Sequence, residues 1–251
     1  MNPRHVMITG GSRGIGRAIA RHFAHAGDRV TILGRDRATL DHVVEAGDAS
    51  LAVVGNVTSE DSMQRALDAA VAQAGEVEVL VNNAGGSASA PFIQTTTDDF
   101  RNAFTLNTLS AVWLCHQVLP GMVGRGGGRI VNVASTAALK GYAYVAPYVV
   151  AKHALLGLTR ALALEYARHG VTINAVCPGF TDSDLVADSI ARVAGKTGRD
   201  PEAVRTDFAR FNPRGHLNTV DEVAVAVAFL CGRDAGAING IALPVAGGEV
   251  T

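Results

Sequence analysis

The stretch "HVMITGGSRGIG", residues 5–16, joins a short apolar run to a glycine-rich turn, and a helical pattern follows over residues 17–25. Glycines between a strand and a helix N-terminus let the backbone approach a pyrophosphate, whose charge is favoured by free N–H groups and the helix dipole. The spacing here is Gly10-x3-Gly14-x-Gly16. A glycine-rich turn alone also fits an ordinary tight turn. The motifs in the rest of the chain distinguish between this interpretation and a pyrophosphate-binding turn.

Seven short runs rich in Val and Ile recur between helical patterns: "HVMITG", "RVTILG", "LAVVGNV", "VEVLVNNAG", "GRIVNVAS", "VTINAVCPG" and "GIALPVAGG". Most are continuously apolar, which is typical of parallel strands covered by helices on both faces. Helix starts are predicted at "TSED" (58–61) and "TVDE" (219–222), where a Thr is followed three residues later by an acid. The pattern predicts one doubly wound, Rossmann-type α/β domain with a seven-stranded parallel sheet over residues 1–251.

One segment breaks this alternation. Between about residues 180 and 218, two polar helical patterns joined near "GKTGRDPE" replace a short crossover. Long insertions of this kind are often lids or binding elements, so we expect a substrate-side element here.

Composition excludes several classes of function. With 22 basic and 23 acidic residues, the chain lacks the positive excess of a nucleic-acid binder. Three scattered cysteines form neither a disulfide framework nor a metal site, so we expect buried, small apolar side chains and no metal. No apolar run approaches the ~20 residues of a membrane span, and no signal peptide is recognisable. A cytoplasmic protein that contacts no membrane is predicted.

Further motifs follow the glycine turn in a fixed order: "NNAG" (82–85), Ser135 closing "NVAS", Tyr148-x3-Lys152, and "PG" at 178–179. Through these motifs the chain resembles the short-chain dehydrogenase/reductase family over nearly its whole length. It looks most like 3-oxoacyl thioester reductases and polyketide ketoreductases, in phrases such as "AVCPGF" and "KHALLGLTRALALE".

Spacing selects one tyrosine of "GYAYVAPYVVAK" (141–152) for chemistry. Pro147 suits the first position of a helix, which leaves Tyr142 and Tyr144 in the preceding loop. Only Tyr148 has a lysine, Lys152, four residues on and therefore on the same helix face. A lysine ammonium beside the phenol is expected to lower a tyrosine pKa that is ordinarily about 10. Tyr148 is the candidate acid/base group.

The resemblance implies roles for the other catalytic positions. Ser135 would hydrogen-bond the substrate oxygen, since a hydroxyl can both donate and accept. Lys152 would also hold the nicotinamide ribose. Asn107, in "FTLNT", would help position a water in a proton relay.

The resemblance also implies a set of cofactor contacts. Two of them depart from the family's pattern, because Ser183 stands where threonine is usual and Asn56 where aspartate usually reaches the adenine. The implied cofactor-binding residues are Gly10, Ser12, Arg13, Gly14, Ile15, Gly16, Arg35, Asn56, Val57, Asn83, Ala84, Gly85, Tyr148, Lys152, Pro178, Gly179 and Ser183.

The end of "VTILGRD" determines which nicotinamide cofactor is expected. A carboxylate there binds the ribose 2′-OH and repels a 2′-phosphate, whereas an arginine pairs with that phosphate. The family's discriminating position is Gly34, followed by Arg35, and Arg13 adds a second positive charge. We expect NADP(H) to be preferred, with NAD(H) possible if Asp36 faces the ribose.

These residues predict an oxidoreductase that interconverts a ketone and a secondary alcohol, with a 3-oxoacyl thioester as the expected substrate. CoA and a carrier protein both remain open as the thioester carrier. The alternatives are an alcohol, sugar or hydroxysteroid dehydrogenase of the same family, and a non-catalytic dinucleotide-binding protein. The family also implies a homo-oligomer, most often a tetramer. The apolar stretch "INGIALPVAGGEV" fits burial against a neighbour as well as a monomer's edge strand.

Overall fold

A computed structural model describes residues 3–250 of the chain. Its centre is a parallel sheet of seven strands in the order β3-β2-β1-β4-β5-β6-β7. The strands are β1 (His5–Thr9), β2 (Arg29–Gly34), β3 (Leu51–Val54), β4 (Val79–Asn82), β5 (Gly128–Val133), β6 (Val171–Pro178) and β7 (Ala242–Val245). Each of the seven predicted strands is present, which confirms the predicted fold.

Helices cover both faces of the sheet. Their bounds are α1 (Gly14–His25), α2 (Arg37–Glu45), α3 (Glu60–Ala74), α4 (Thr97–Phe104), α5 (Ser110–Gly124), α6 (Ala146–Tyr166), α7 (Asp184–Thr197), α8 (Pro201–Ala209) and α9 (Val220–Leu230). A π-helical turn, Thr105–Leu109, joins α4 to α5 without a break. The two helices α7 and α8 lie within the 180–218 segment.

Side-chain alternation along β1 divides the core in two. Val6 and Ile8 belong to the apolar cluster that contains residues of α1, α2 and α9. Met7 belongs to the cluster on the opposite face, which contains residues of α3 and α5. Because both faces of the strand are buried, its sequence is continuously apolar rather than alternating.

The helix starts were predicted with mixed accuracy. Thr219 and Glu222 form the reciprocal capping box expected at the start of α9. The helix α3, however, is capped by Ser59 and not by Thr58. The backbone N–H and the hydroxyl of Thr58 instead donate to the Asn56 side-chain oxygen, at 3.1 and 2.9 Å. This local turn removes Thr58 from the capping position.

The other predictions about the fold concern particular side chains. Helix α6 begins at Ala146, one residue before the proline expected to open it. All three cysteines are buried and unpaired, as expected. No helix within residues 3–250 is long and apolar enough to cross a membrane.

Candidate active site

The carboxyl ends of the parallel strands gather the predicted site residues at one edge of the sheet. The strand order reverses next to β1, which pairs with β2 on one side and β4 on the other. In open α/β sheets such a reversal opens a crevice that receives ligands. The predicted residues follow the ends of β1, β2, β3, β4, β5 and β6 or lie on the π-turn and the first turns of α6.

The glycine turn after β1 is closely packed. Gly10 has a positive φ of 66°, and a side chain at Gly16 would collide with the Gly10 carbonyl oxygen. The Asn83 amide donates to the carbonyls of Thr9 (2.9 Å) and Gly10 (3.1 Å). Asn83, expected beside the adenine, therefore uses its side chain to brace the turn. The Thr9 hydroxyl also accepts from the Asn83 and Ala84 amides, a role the sequence analysis missed.

The start of α1 fits a pyrophosphate. Within residues 3–250 no side chain caps this N-terminus, and the first turn contains no acidic residue. Its backbone N–H groups and positive dipole end therefore remain available to an anion. Gly14 faces Ser183 from the loop after β6, since a Cβ at Gly14 would lie 3.5 Å from the Ser183 Cβ. Two predicted cofactor residues distant in sequence are thus brought together.

The remaining residues of the turn are split between surface and core. Ser12 is half-buried, and Ile15 packs against the cluster on the α1 face. Arg13 is 66% exposed, and its guanidinium lies 3.8 Å from the Asp188 carboxylate on α7. An exposed pair at this separation contributes little stability.

The residues at the end of β2 differ in what their side chains contact. Arg35 is exposed beyond Gly34, the last residue of the strand. Asp36 caps α2, and its carboxylate accepts the Thr39 N–H at 2.8 Å. This hydrogen bond lowers the pKa of Asp36. The acid is thus directed at its own helix.

The turn after β3 contains two further predicted cofactor-binding residues, Asn56 and Val57. The Asn56 side-chain oxygen already accepts two hydrogen bonds from Thr58. Val57 is buried in the core cluster on the α3 face, so only its backbone could meet a ligand. The side chain of Asn56 is engaged locally in a way that its sequence position did not reveal.

Ser135 and Tyr148 form the centre of the candidate site. Ser135 follows β5, and its hydroxyl accepts the Ala137 N–H at 3.0 Å. Tyr148 lies in the first turn of α6, where burial raises the pKa of the phenol and hydrogen bonding with Ser135 offsets part of that rise. The serine and tyrosine predicted to act together are therefore close enough for the Ser135 side chain to influence the phenol.

Lys152 lies one helical turn beyond Tyr148 and is buried. Its Nζ donates to the Val133 carbonyl at 2.9 Å and stands 5.6 Å from the centroid of the Tyr148 ring. Burial lowers the pKa of Lys152 to about 8. Burial also raises the pKa of Tyr148 to about 12, an effect larger than the lowering by Ser135.

The expected lowering of the Tyr148 pKa is therefore wrong as a net result, because burial raises that pKa. Desolvation disfavours the charged form of both groups and is the largest influence on each pKa. Tyr148 keeps its proton at neutral pH, and Lys152 keeps most of its own.

Asn107 occupies the π-turn between α4 and α5. Its amide donates to the carbonyls of Gly86 and Ala103, both at 3.0 Å, and its oxygen accepts the Gly86 N–H at 3.2 Å. A side chain at Gly85 would contact both the Asn107 oxygen and the Lys152 ammonium. Asn107 and Lys152 therefore approach Gly85 from two sides, and π-turns of this kind are frequent at functional sites.

The loop after β6 contains the last three predicted contacts. Pro178 ends β6, and the Gly179 N–H donates to the Val245 carbonyl at 3.0 Å. The Ser183 hydroxyl donates to the Thr181 carbonyl at 3.2 Å. This bond uses the hydroxyl proton but leaves the Ser183 oxygen able to accept.

A polar cluster beside this site escaped the sequence analysis. Glu249, from the stretch interpreted as apolar, has a side chain only 1% exposed. Its carboxylate accepts from the Tyr142 hydroxyl and lies 3.1 Å from the Lys140 ammonium. The only available signal was a lone acid within an apolar run.

Comparison with known proteins identifies the family. The family model of short chain dehydrogenases matches residues 4–193. A protein of Streptomyces violaceoruber assigned as a ketoacyl reductase of granaticin polyketide synthase is 35% identical over 96% of this chain and 91% of its own. The 2-(R)-hydroxypropyl-CoM dehydrogenase of Xanthobacter autotrophicus is 35% identical over 97% of each chain.

Among solved structures, a substituted variant of actinorhodin polyketide ketoreductase with NADPH superposes with a TM-score of 0.94. It is 33% identical, and the match covers 98% of this chain and 97% of that one. The matches span the sheet, the glycine turn and the helix with Tyr148. The chain therefore belongs to the short-chain dehydrogenase family and is a nicotinamide-dependent oxidoreductase that acts on carbonyl and hydroxyl groups.

Proposed function

We propose that this protein is an NADPH-dependent ketoreductase that reduces a 3-oxoacyl thioester to the 3-hydroxy product. The observation that carries the proposal is the placement of Ser135 directly after β5 and of Tyr148 and Lys152 one turn apart on α6, with the Lys152 ammonium hydrogen-bonded to the Val133 carbonyl of β5. A phenol with a pKa of about 12 holds its proton at neutral pH, which suits a proton donor to a carbonyl oxygen. Two relatives described as a ketoacyl reductase and a polyketide ketoreductase support this direction.

The residues divide the reduction into separate tasks. When bound, the reduced cofactor supplies a hydride to the carbonyl carbon. Ser135 donates a hydrogen bond to the carbonyl oxygen and orients it towards Tyr148. Tyr148 transfers its proton to that oxygen, so the C=O group becomes a CH–OH group. The Lys152 ammonium stabilises the resulting phenolate. Asn107 holds the backbone of Gly86, next to Gly85.

The choice of NADPH rests on charge at the end of β2. Arg35 is exposed and Arg13 is mostly exposed, so both guanidinium groups can turn towards a 2′-phosphate. Asp36, the only acid among residues 34–36, has its carboxylate on the Thr39 N–H. The NADPH in the actinorhodin ketoreductase structure is further support.

The substrate class is tested by comparing carbonyl compounds. Purified protein is assayed with NADPH and either acetoacetyl-CoA or free ketones of similar size. We expect kcat/KM to be highest for the thioester. Higher kcat/KM for free ketones would instead favour the second candidate, an alcohol, sugar or hydroxysteroid dehydrogenase. The similarity to 2-(R)-hydroxypropyl-CoM dehydrogenase is the observation that keeps this candidate open.

The charged side chains of the 180–218 segment are expected to contribute little to binding of a thioester carrier. Four of its arginines pair with acids: Arg199 and Arg210 with Asp207, Arg205 with Asp182, and Arg214 with Glu222. Such a balanced surface offers no excess positive charge to a CoA or carrier phosphate. Recognition of the carrier is therefore expected to contribute less than recognition of the 3-oxoacyl group.

We further propose a single cytoplasmic domain, residues 1–251, that assembles as a homotetramer. Large apolar side chains are exposed on α6 and the π-turn, with Leu164 at 83%, Val150 at 51% and Leu109 at 43%. Exposed apolar side chains on neighbouring elements are typical of subunit interfaces. Light scattering that gives the mass of a monomer at assay concentration would contradict the assembly.

A further inference from the structure

The Glu249 cluster comprises Glu249, Tyr142, Lys140 and Thr136. It borders the catalytic residues directly, because Thr136 follows Ser135 and its hydroxyl lies 2.6 Å from the Tyr142 hydroxyl. A charged group is thus buried beside the reacting centre.

Tyr142 links the cluster to the 180–218 segment. Its ring packs edge-on against Phe180 at 6.0 Å and at a tilt against Phe211 at 5.8 Å. The Lys140 ammonium stands 5.0 Å from the Tyr142 ring and 5.8 Å from the Phe211 ring. The Tyr142 ring is therefore a packing contact between the 180–218 segment and the loop that joins Ser135 to Tyr148.

The burial of the Glu249 carboxylate is unfavourable for the free energy of folding. One carboxylate oxygen of Glu249 accepts from Tyr142 and Lys140, but the other is buried without a hydrogen-bond partner in the described part of the chain. A buried acceptor left unpaired is unfavourable. Space for it exists only because residue 179 is glycine, where a Cβ would lie 2.6 Å from that oxygen.

We propose that Glu249 is a positioning residue that fixes Tyr142, and that Tyr142 is a specificity-determining residue of the substrate cleft. The Glu249 carboxylate accepts a hydrogen bond from the Tyr142 phenol, and the Thr136 hydroxyl hydrogen-bonds the same phenol oxygen. With these contacts the Tyr142 ring has a fixed orientation between Ser135 and the 180–218 segment and forms one side of the substrate cleft. The Tyr142 ring affects how tightly the ketone binds and takes no part in hydride or proton transfer.

The catalytic groups have supports of their own. Ser135 is held by the Ala137 N–H, and Lys152 by the Val133 carbonyl. The start of α6 is tied to the π-turn by Thr108, whose hydroxyl donates to the Ala151 carbonyl at 2.8 Å. Loss of Glu249 should therefore release Tyr142 without displacing the groups that transfer the proton. The expected effect is on KM for the ketone, with kcat and cofactor affinity preserved.

The test measures kcat and KM for the ketone, the Kd for NADPH and the thermal unfolding temperature of each variant. Glu249→Ala should raise KM about tenfold, as expected for loss of a hydrogen bond to a charged group. Glu249→Gln should restore most of the affinity, because its amide oxygen still accepts from Tyr142. Tyr142→Phe should reproduce the Glu249→Ala effect, and the double variant should be no worse than either.

Tyr144→Phe is the matched control. It removes the same hydroxyl two residues away, where the side chain is 66% exposed, and it should leave KM unchanged. If Glu249→Ala fails to fold, Glu249→Gln and Tyr142→Phe carry the same comparison.

The inference rests on the proposed activity, and the two can fail separately. If the wild type reduces no ketone, the proposed function is wrong. If the wild type is active but Glu249→Ala and Tyr142→Phe keep its KM, the role of Glu249 is wrong. The role of Glu249 would also be wrong if the increases in KM from the two substitutions were additive in the double variant. The same holds if the affinity for NADPH fell as much as the affinity for the ketone.

Discussion

Lys152 and Tyr148 share one face of α6, yet the lysine Nζ donates its 2.9 Å hydrogen bond to the Val133 carbonyl and stands 5.6 Å from the centroid of the phenol ring. The lysine is therefore held by the backbone of β5 and lies within cation–π range of the tyrosine ring. Burial moves the two pKa values in opposite directions, to about 12 for Tyr148 and about 8 for Lys152. Each group then loses its proton in a different range of pH.

The pH dependence of ketone reduction follows from these values. Lys152 is a base with a lowered pKa, so its ammonium is present below about pH 8 and is lost as the pH rises through that value. Tyr148 remains protonated throughout. We expect kcat/KM for reduction to be level near neutrality and to fall above about pH 8. Stopped assays at constant ionic strength would reveal this, and a rate that rises steadily through pH 9 would contradict it.

Tyr148→Phe tests the proton donor directly. The change removes the transferable proton but little packing, so turnover should fall by about 10²–10⁴-fold. The Kd for NADPH, measured by fluorescence titration, should stay close to that of the wild type. Tyr144→Phe serves as the control that retains activity. Equal losses from both substitutions would show that another group donates the proton.

The cofactor preference is tested at Arg35. NADPH should be preferred over NADH at least about tenfold in kcat/KM, since a charge-assisted hydrogen bond contributes about 1.5–3 kcal/mol. Arg35→Ala should remove most of this preference and leave the NADH rate nearly unchanged. Asp36→Asn is the control, because asparagine also caps a helix and the carboxylate is directed at Thr39. A variant lacking Arg35 that keeps the full preference would place the 2′-phosphate elsewhere.

A stability prediction concerns the buried amide of Asn132. It is fully buried, accepts from the Asn82 amide at 2.8 Å and donates to the Thr159 hydroxyl at 2.9 Å. Asn132→Leu leaves the Asn82 amide with only its 3.8 Å contact to the Cys115 sulfur and should lower the free energy of unfolding by about 1–3 kcal/mol in urea titrations. Thr172→Val is the opposite case, because that buried hydroxyl has no partner within residues 3–250. This control should be neutral or stabilising, and equal losses would contradict the hydrogen-bond argument.

Local patterns were sufficient to predict much of this molecule from its sequence. Seven apolar runs correctly predicted the strands because both faces of a parallel sheet are buried. The four-residue spacing correctly put Tyr148 and Lys152 on one helix face. Their proton affinities were missed, since desolvation depends on the surrounding fold and not on spacing.

Contacts between distant parts of the chain were beyond the sequence analysis. Glu249 meets Tyr142 across 107 residues, and no local pattern links an acid after β7 to a loop before α6. The bracing of the glycine turn by Asn83 spans 74 residues and was missed for the same reason. The cap of α3 was misplaced because Asn56 competes locally for Thr58.

The bracing of the glycine turn by Asn83 also constrains the order of folding. Strands β1 and β2 are close in sequence and can pair early. Strand β4 is much farther along the chain, so its pairing with β1 closes a longer chain segment at a higher cost in entropy. The Asn83 amide can hold the carbonyls of Thr9 and Gly10 only once that pairing exists. The nascent chain therefore completes its anion-binding turn only after β4 has been synthesised, so an N-terminal fragment ending before β4 would lack a finished cofactor cradle.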